Sequence, residues 1–138
     1  MIVADTAGIL ALLNAEDRHH ARVRELYEQQ PTWILPWAIL PEVDYLASTR
    51  LGNHVARVFA EDLRDGLFTV DAGVARDLPR AVELLTKYAD LQLGLVDAVV
   101  MAEAERHGAR VIVTTGKHFR AVKLKLRPPP ALVPLDAR

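Results

Sequence analysis

Apolar positions along the chain follow two rhythms. Short runs dense in Val, Ile and Leu, at residues 2–4, 33–35, 67–70, 111–113 and 131–133, read as strands bounded by polar or helix-breaking residues. Longer stretches between them carry helical spacing: 6–13, 17–30, 37–51, 54–65, 72–89 and 97–107. In 17–30 the stripe is Ala21, Val23, Leu26 and Tyr27. Breakers agree with these limits. Pro31 ends one helix, and Gly66 and Gly108 close two others. Pro41 belongs in a first turn, so its helix starts near Leu40 or Pro41. Pro79 marks a kink or a fresh start, and residues 128–130, three prolines, form a rigid spacer before an edge strand. Strands without polar alternation, separated by helices, predict an α/β fold with parallel strands and crossover helices. Residues 1–138 read as one domain, with no repeat, low-complexity tract or internal linker.

Composition narrows the picture. Of 138 residues, 51% are apolar, enough for a full core, and 25% are charged, which argues against disorder. The absence of cysteine excludes disulfides and Cys-based zinc sites and fits a cytoplasmic protein. No apolar run reaches the roughly 18 residues of a membrane span, and no basic-then-apolar opening marks a signal peptide. The net charge of −1 hides an asymmetry. Lys117, Arg120, Lys123, Lys125 and Arg127 crowd into eleven residues with no acid, so the rest of the chain is net negative. A basic tract on an acidic body can hold a polyanion; read blandly, it is a solvated edge.

Three acids stand at junctions between elements. Asp5 ends the first strand and is followed by Thr6. Carboxylates at that position of an open α/β sheet face the crevice where such folds bind ligands. Glu42 shares a helical face with Tyr45 and Leu46, which predicts a half-buried carboxylate in need of a partner. Asp97 opens the helix 97–107 in apolar surroundings, while Glu103 and Glu105 further along are expected to face water. Read singly, Asp5 and Asp97 are helix caps and Glu42 is one half of an ion pair. Read together, they fit a divalent-cation site, because Mg²⁺ takes oxygen ligands and relieves the repulsion of crowded carboxylates. Such a site can polarise a phosphodiester and lower the pKa of an attacking water. Thr6 would orient Asp5 or hold a water. His118 and the basic residues Lys117 and Arg120 would touch phosphate, and Thr114 or Thr115 could position a water.

These residues resemble a family. The opening MIVADTAGILALL, the segment PEVDYLASTRLG, the segment GLVDAVVMAEAERHGARVIVT and the pair His118-Phe119 run in the order and spacing of PIN domains, specifically of VapC-type ribonuclease toxins from toxin–antitoxin pairs. The resemblance implies a PIN-like three-layer fold, a five-stranded and mostly parallel sheet flanked by helices. It implies Mg²⁺- or Mn²⁺-dependent endoribonuclease activity, with RNA phosphodiesters hydrolysed by metal-activated water. Asp5, Glu42 and Asp97 match the catalytic acids by position, with Asp5 and Asp97 on the metal. It also implies a small VapB-type antitoxin that covers the site, and a homodimer.

One departure matters. The family pattern has an Asp or Asn after the fourth strand, where this chain reads Thr114-Thr115-Gly116-Lys117 and Gly116 offers no ligand. That leaves two expectations: a nuclease working with one metal or two, or a weakened or silent PIN module that binds RNA or an antitoxin without efficient cleavage. A third reading takes Asp71 as the phosphoryl acceptor of a flavodoxin-like signalling domain, with Asp5 on the metal and Lys117 on the phosphoryl group.

Overall fold

The strands assemble in the order β3-β2-β1-β4-β5, and all four pairings are parallel. This is a computed structural model, and it describes residues 1–136; the single-domain expectation takes in two residues beyond them. The strands are β1 (Ile2–Ala4), β2 (Trp33–Pro36), β3 (Thr69–Asp71), β4 (Val111–Thr114) and β5 (Ala131–Pro134). Every residue of β1 and β2 is buried. Successive side chains of a strand point to opposite faces, so full burial means that both faces are covered. The sheet's edges, β3 and the start of β5, are more open.

Seven α-helices surround the sheet among the described residues: α1 (Thr6–Leu13), α2 (His20–Gln29), α3 (Leu40–Arg50), α4 (Asn53–Arg64), α5 (Asp77–Lys87), α6 (Leu95–Arg106) and α7 (His118–Ala121). Helix α1 packs on α2, α3 and β4, whereas α6 packs on β1 and β2 and lies against α5. Gly8 permits the first of these contacts. A Cβ there would stand 2.3 Å from the carbonyl oxygen of Val113, so only glycine lets α1 settle onto β4. An aromatic group of Tyr27, Trp33, Phe59 and Phe68 fastens α2 and α4 to β2 and to the residue that leads into β3.

Several boundaries differ from the sequence expectations. Helix α5 starts at Asp77 rather than 72. Pro79 sits in its first turn, and residues 72–76 form a loop in which Gly73 takes φ +86° and the Val74 N–H donates to Asp77 Oδ2 at 3.0 Å. Pro79 is therefore a start and not a kink. Residues 37–39 form a separate 3-10 turn before α3. The four-residue α7 has no counterpart in the hydrophobic pattern. In α2, Val23 and Leu26 are buried but Ala21 is exposed, which narrows the expected stripe.

Candidate active site

The chain runs outward from β1 through β2 to β3, then returns across β1 to β4 and out to β5. The connections leaving β1 and β4 therefore diverge, which opens a crevice at the C-terminal ends of these two strands. Asp5 lies in that crevice. Its backbone N–H donates to the Val113 carbonyl at 3.0 Å, and its side chain is 4% exposed. It does cap α1, accepting from the Gly8 N–H at 2.7 Å through Oδ1. The other oxygen, Oδ2, accepts from the Thr114 hydroxyl. Asp5 is thus both cap and crevice acid.

Burial pushes the Asp5 carboxyl up to about 7. The hydrogen bonds from Thr114 and Gly8 pull it back, and the negative charges of Asp97 and Glu42 add to the rise. Asp97, in the first turn of α6, is half-buried, and burial raises its carboxyl too. His118 Nδ1 stands 3.9 Å from Asp97 Oδ2 and opposes that rise, while Glu42 reinforces it. Asp5 therefore senses the charges of Asp97 and Glu42, and Asp97 senses that of Glu42. Beside them the Thr6 hydroxyl is buried without a hydrogen-bond partner. Such a group costs free energy unless something meets it.

Glu42 differs from expectation. It is exposed, and so is Tyr45. The buried face of α3 is Val43 and Ala47, one step around the helix, because that is the side turned to its neighbouring helices α1 and α4. Thr114 also differs: it is fully buried and its hydroxyl is committed, donating to Asp5 and accepting from the Gly116 N–H at 2.9 Å. It orients Asp5 and has no exposed surface of its own. Of the basic residues assigned to substrate, Lys117 is exposed at the rim. Arg120 turns away, its Nη2 donating to Asp136 Oδ1 at 2.8 Å at the end of β5. Gly116 has room for little: a Cβ would meet the Thr114 hydroxyl oxygen at 3.3 Å.

Among the described residues, no three His, Asp or Glu side chains converge closely enough to cage a metal ion unaided. The fit to a divalent cation therefore rests on two observations. One is a pair of carboxylates, Asp5 and Asp97, made reluctant to ionise by burial, with the charge of Glu42 adding to the rise of both and that of Asp97 to the rise of Asp5. The other is the orphaned Thr6 hydroxyl, which a water of a hydrated ion would satisfy. Mg²⁺ binds in this way, through one or two carboxylates with waters and substrate phosphate completing the shell.

Two acids predicted to face water do not. Glu103 is 2% exposed and Glu105 is largely buried, paired with Arg80 at 2.7 and 2.9 Å. Asp71 is locked by Arg106 and His107 and accepts from the Gly73 N–H. Burial would raise its carboxyl, but the bonds from His107, Gly73 and Arg106 outweigh it and hold it below the usual range. An acid so occupied is no phosphoryl acceptor, and the strand order is not the flavodoxin-like 2-1-3-4-5. The signalling-domain reading is overturned.

A family model described as PIN domain matches residues 2–125. The chain is similar to Ribonuclease VapC26 of Mycobacterium tuberculosis, 29% identical over 125 residues that cover 88% of this chain and 92% of the relative. Among solved structures it is similar to VapC20 of Mycobacterium tuberculosis, described as a sarcin–ricin loop cleaving toxin. The TM-score there is 0.79, with 25% identity, covering 90% of this chain and 96% of that one. It also resembles in fold VapBC2 from Rickettsia felis bound to a promoter DNA fragment, at a TM-score of 0.67 and 19% identity over 96% of this chain and 97% of that one.

Proposed function

Because the chain belongs to the PIN domain family, we propose that it is a divalent-metal-dependent endoribonuclease, the toxin of a toxin–antitoxin pair. The observation that carries this reading is Asp5. It is a buried carboxylate at the switch point of the sheet, pushed up to about 7 by burial and by its acidic neighbours, beside an unpartnered buried hydroxyl. Among the described residues no cation pairs with it, and the charges it senses are those of two more acids.

Asp5 and Asp97 would hold Mg²⁺ or Mn²⁺, with Glu42 as the third acid at the exposed rim. When bound, the ion supplies charge neutralisation at the phosphodiester and lowers the pKa of the attacking water. The chain's own residues do the rest. Thr114 and the Gly8 N–H fix the two oxygens of Asp5, so the carboxylate does not swing as substrate arrives. The Thr6 hydroxyl is placed to orient a water. His118, facing Asp97 from α7, steadies that carboxylate and presents its ring toward the phosphate. Lys117 at the rim, and the basic tract that runs on to Arg127, attract the RNA backbone. Hydrolysis leaves one new phosphate end and one new hydroxyl end.

The test is cleavage of an RNA panel with Mg²⁺ or Mn²⁺ and with EDTA as control. The panel includes a sarcin–ricin loop hairpin, because VapC20 is described as cleaving that loop. We expect metal-dependent cleavage that Asp5→Asn and Asp97→Asn each reduce at least about 100-fold. Variants that cleave like the parent would sink the mechanism. A VapB-type antitoxin is the expected partner, given the VapBC complexes of similar fold, together with a homodimer and a cytoplasmic setting. No helix among the described residues is long and apolar enough to cross a membrane.

A second reading is favoured by Gly116, where the family pattern places a further acid. In it the protein binds RNA or an antitoxin without efficient cleavage, and no divalent metal restores turnover.

A further inference from the structure

The chain has two tryptophans, four residues apart, in opposite surroundings. Trp33 in β2 is fully buried, edge-on to Tyr27 with ring centroids 5.2 Å apart. Trp37 is 59% exposed. Indole presents a large, flat apolar face with a single polar N–H, a combination suited to contacts that are part apolar and part wet. Its position is set by the sheet. Val3 pairs with Ile34, so Asp5 stands level with Pro36 on the neighbouring strand, and Trp37 begins one residue beyond that level. Adjacent strands lie about 4.8 Å apart. The 3-10 turn that carries Trp37 is anchored by the fully buried Ile39 and packs against α6, the helix that bears Asp97. Trp37 thus stands at the rim of the carboxylate crevice on the β2 side. The basic segment lies on the opposite side, beyond β4.

We propose that Trp37 is a substrate-contact residue whose indole face stacks a nucleobase next to the phosphate held at the Asp5 crevice. This inference rests on the ribonuclease reading above. A strand of RNA crossing the crevice would lay phosphates toward Lys117 and the residues after it. On the β2 side of Asp5 stands a flat, exposed aromatic ring. The face of that ring offers nothing to a phosphate, whereas every base has a π-face, and base–aromatic stacking is sequence-tolerant. Trp37 also costs little to order, because its turn is already fixed by the core.

The two tryptophans provide the assay. The protein is titrated in Mg²⁺ with a ten-nucleotide phosphorothioate RNA of mixed sequence, chosen to resist cleavage, and binding is followed independently by the anisotropy of a labelled copy. At saturation the acrylamide quenching of tryptophan emission falls at least two-fold, while Trp37→Phe, which leaves only buried Trp33 to report, shows no such change. Trp37→Ala weakens RNA binding about 5- to 100-fold. In Mg²⁺ it raises KM with kcat little moved, and Trp37→Phe restores most of the affinity. The inference is overturned if Trp37→Ala binds RNA like the parent, or if RNA saturates the protein without shielding Trp37. It is equally overturned if the shielding follows protein concentration with no RNA present, since Trp37 would then face a second copy. Shielding with no cleavage in any divalent metal keeps the stacking and removes the ribonuclease reading. Cleavage with an unshielded Trp37 does the reverse, and no RNA binding at all overturns both.

Discussion

Asp5 carries a tension that can be measured. Its carboxylate accepts two hydrogen bonds, yet burial leaves it pushed up to about 7 from an ordinary 3.8. A group whose folded-state pKa lies above its unfolded value is held protonated by the fold. Its favourable contribution is complete below about pH 4, is lost as pH rises through 7, and above 7 the charged form weighs against folding. Asparagine keeps an oxygen for the Gly8 N–H and removes the charge. Without metal at pH 8, Asp5→Asn should therefore be more stable than the parent, on the order of 1–3 kcal/mol, and the difference should vanish near pH 4. Mg²⁺ should raise the melting temperature of the parent and leave that of the variant alone, because a ligand stabilises only the state that binds it. Thermal melts at the two pH values, with and without Mg²⁺, check both statements. A variant less stable than the parent at pH 8 would mean that Asp5 is a structural cap and little more.

Helix α6 marks where the sequence could and could not be read. Its apolar residues occupy all sides, and a helix of that kind is enclosed. The structure places it between the sheet and α5, burying Ala98, Val100, Met101, Ala102 and Ala104. Glu103 is expected outside because carboxylates are seldom buried, yet it is enclosed with the rest, and its Oε2 has no hydrogen-bond partner. Burial pushes its carboxyl up to about 8, Asp71 and Asp77 add to the rise, and Arg106 opposes it. The sign is that of Asp5: stability held by the protonated acid is lost as pH climbs from about 4.5 through 8. Glu103→Gln should melt near the parent at pH 5 and above it at pH 9; parallel curves for the two proteins would refute the buried acid. The same contrast explains the rest of the legibility. Strand β1 and the crevice position of Asp5 follow from a local apolar run and its end. The exposure of Glu42 does not, because α3 offers two apolar pairs, Tyr45 with Leu46 and Val43 with Ala47, and only the packing of α1 and α4 around it chooses between them. Helix α7 is too short to leave a periodic signal, and Arg120 finds Asp136 only because β5 returns beside it.

On the scale of the molecule, net charge says little and its placement says more. The carboxylates crowd one end of β1 and α6, while the segment after β4 and the end of α5 enclose a groove of about 1210 Å³ whose rim carries Lys87, Lys123, Lys125 and Arg127. Helix α7 joins the two: His118 faces Asp97, and Phe119 and Arg120 line the groove. An acidic crevice repels RNA until a cation occupies it, so long-range attraction must come from the groove. Each phosphate contact releases counterions, contributing about 0.7 to the slope of log affinity against log salt for a single strand. Replacing Lys123, Lys125 and Arg127 together by alanine keeps the Lys125 N–H bond to Glu105, which is made by backbone. It should flatten that slope by about 2 for an RNA of ten or more nucleotides. Cleavage of a dinucleotide, too short to span from the crevice to the groove, should be unchanged. If the long RNA keeps its full salt dependence in the triple variant, the groove is a solvated edge and the backbone must be held elsewhere. If the dinucleotide loses rate as well, the segment supports the crevice itself and its charge is incidental.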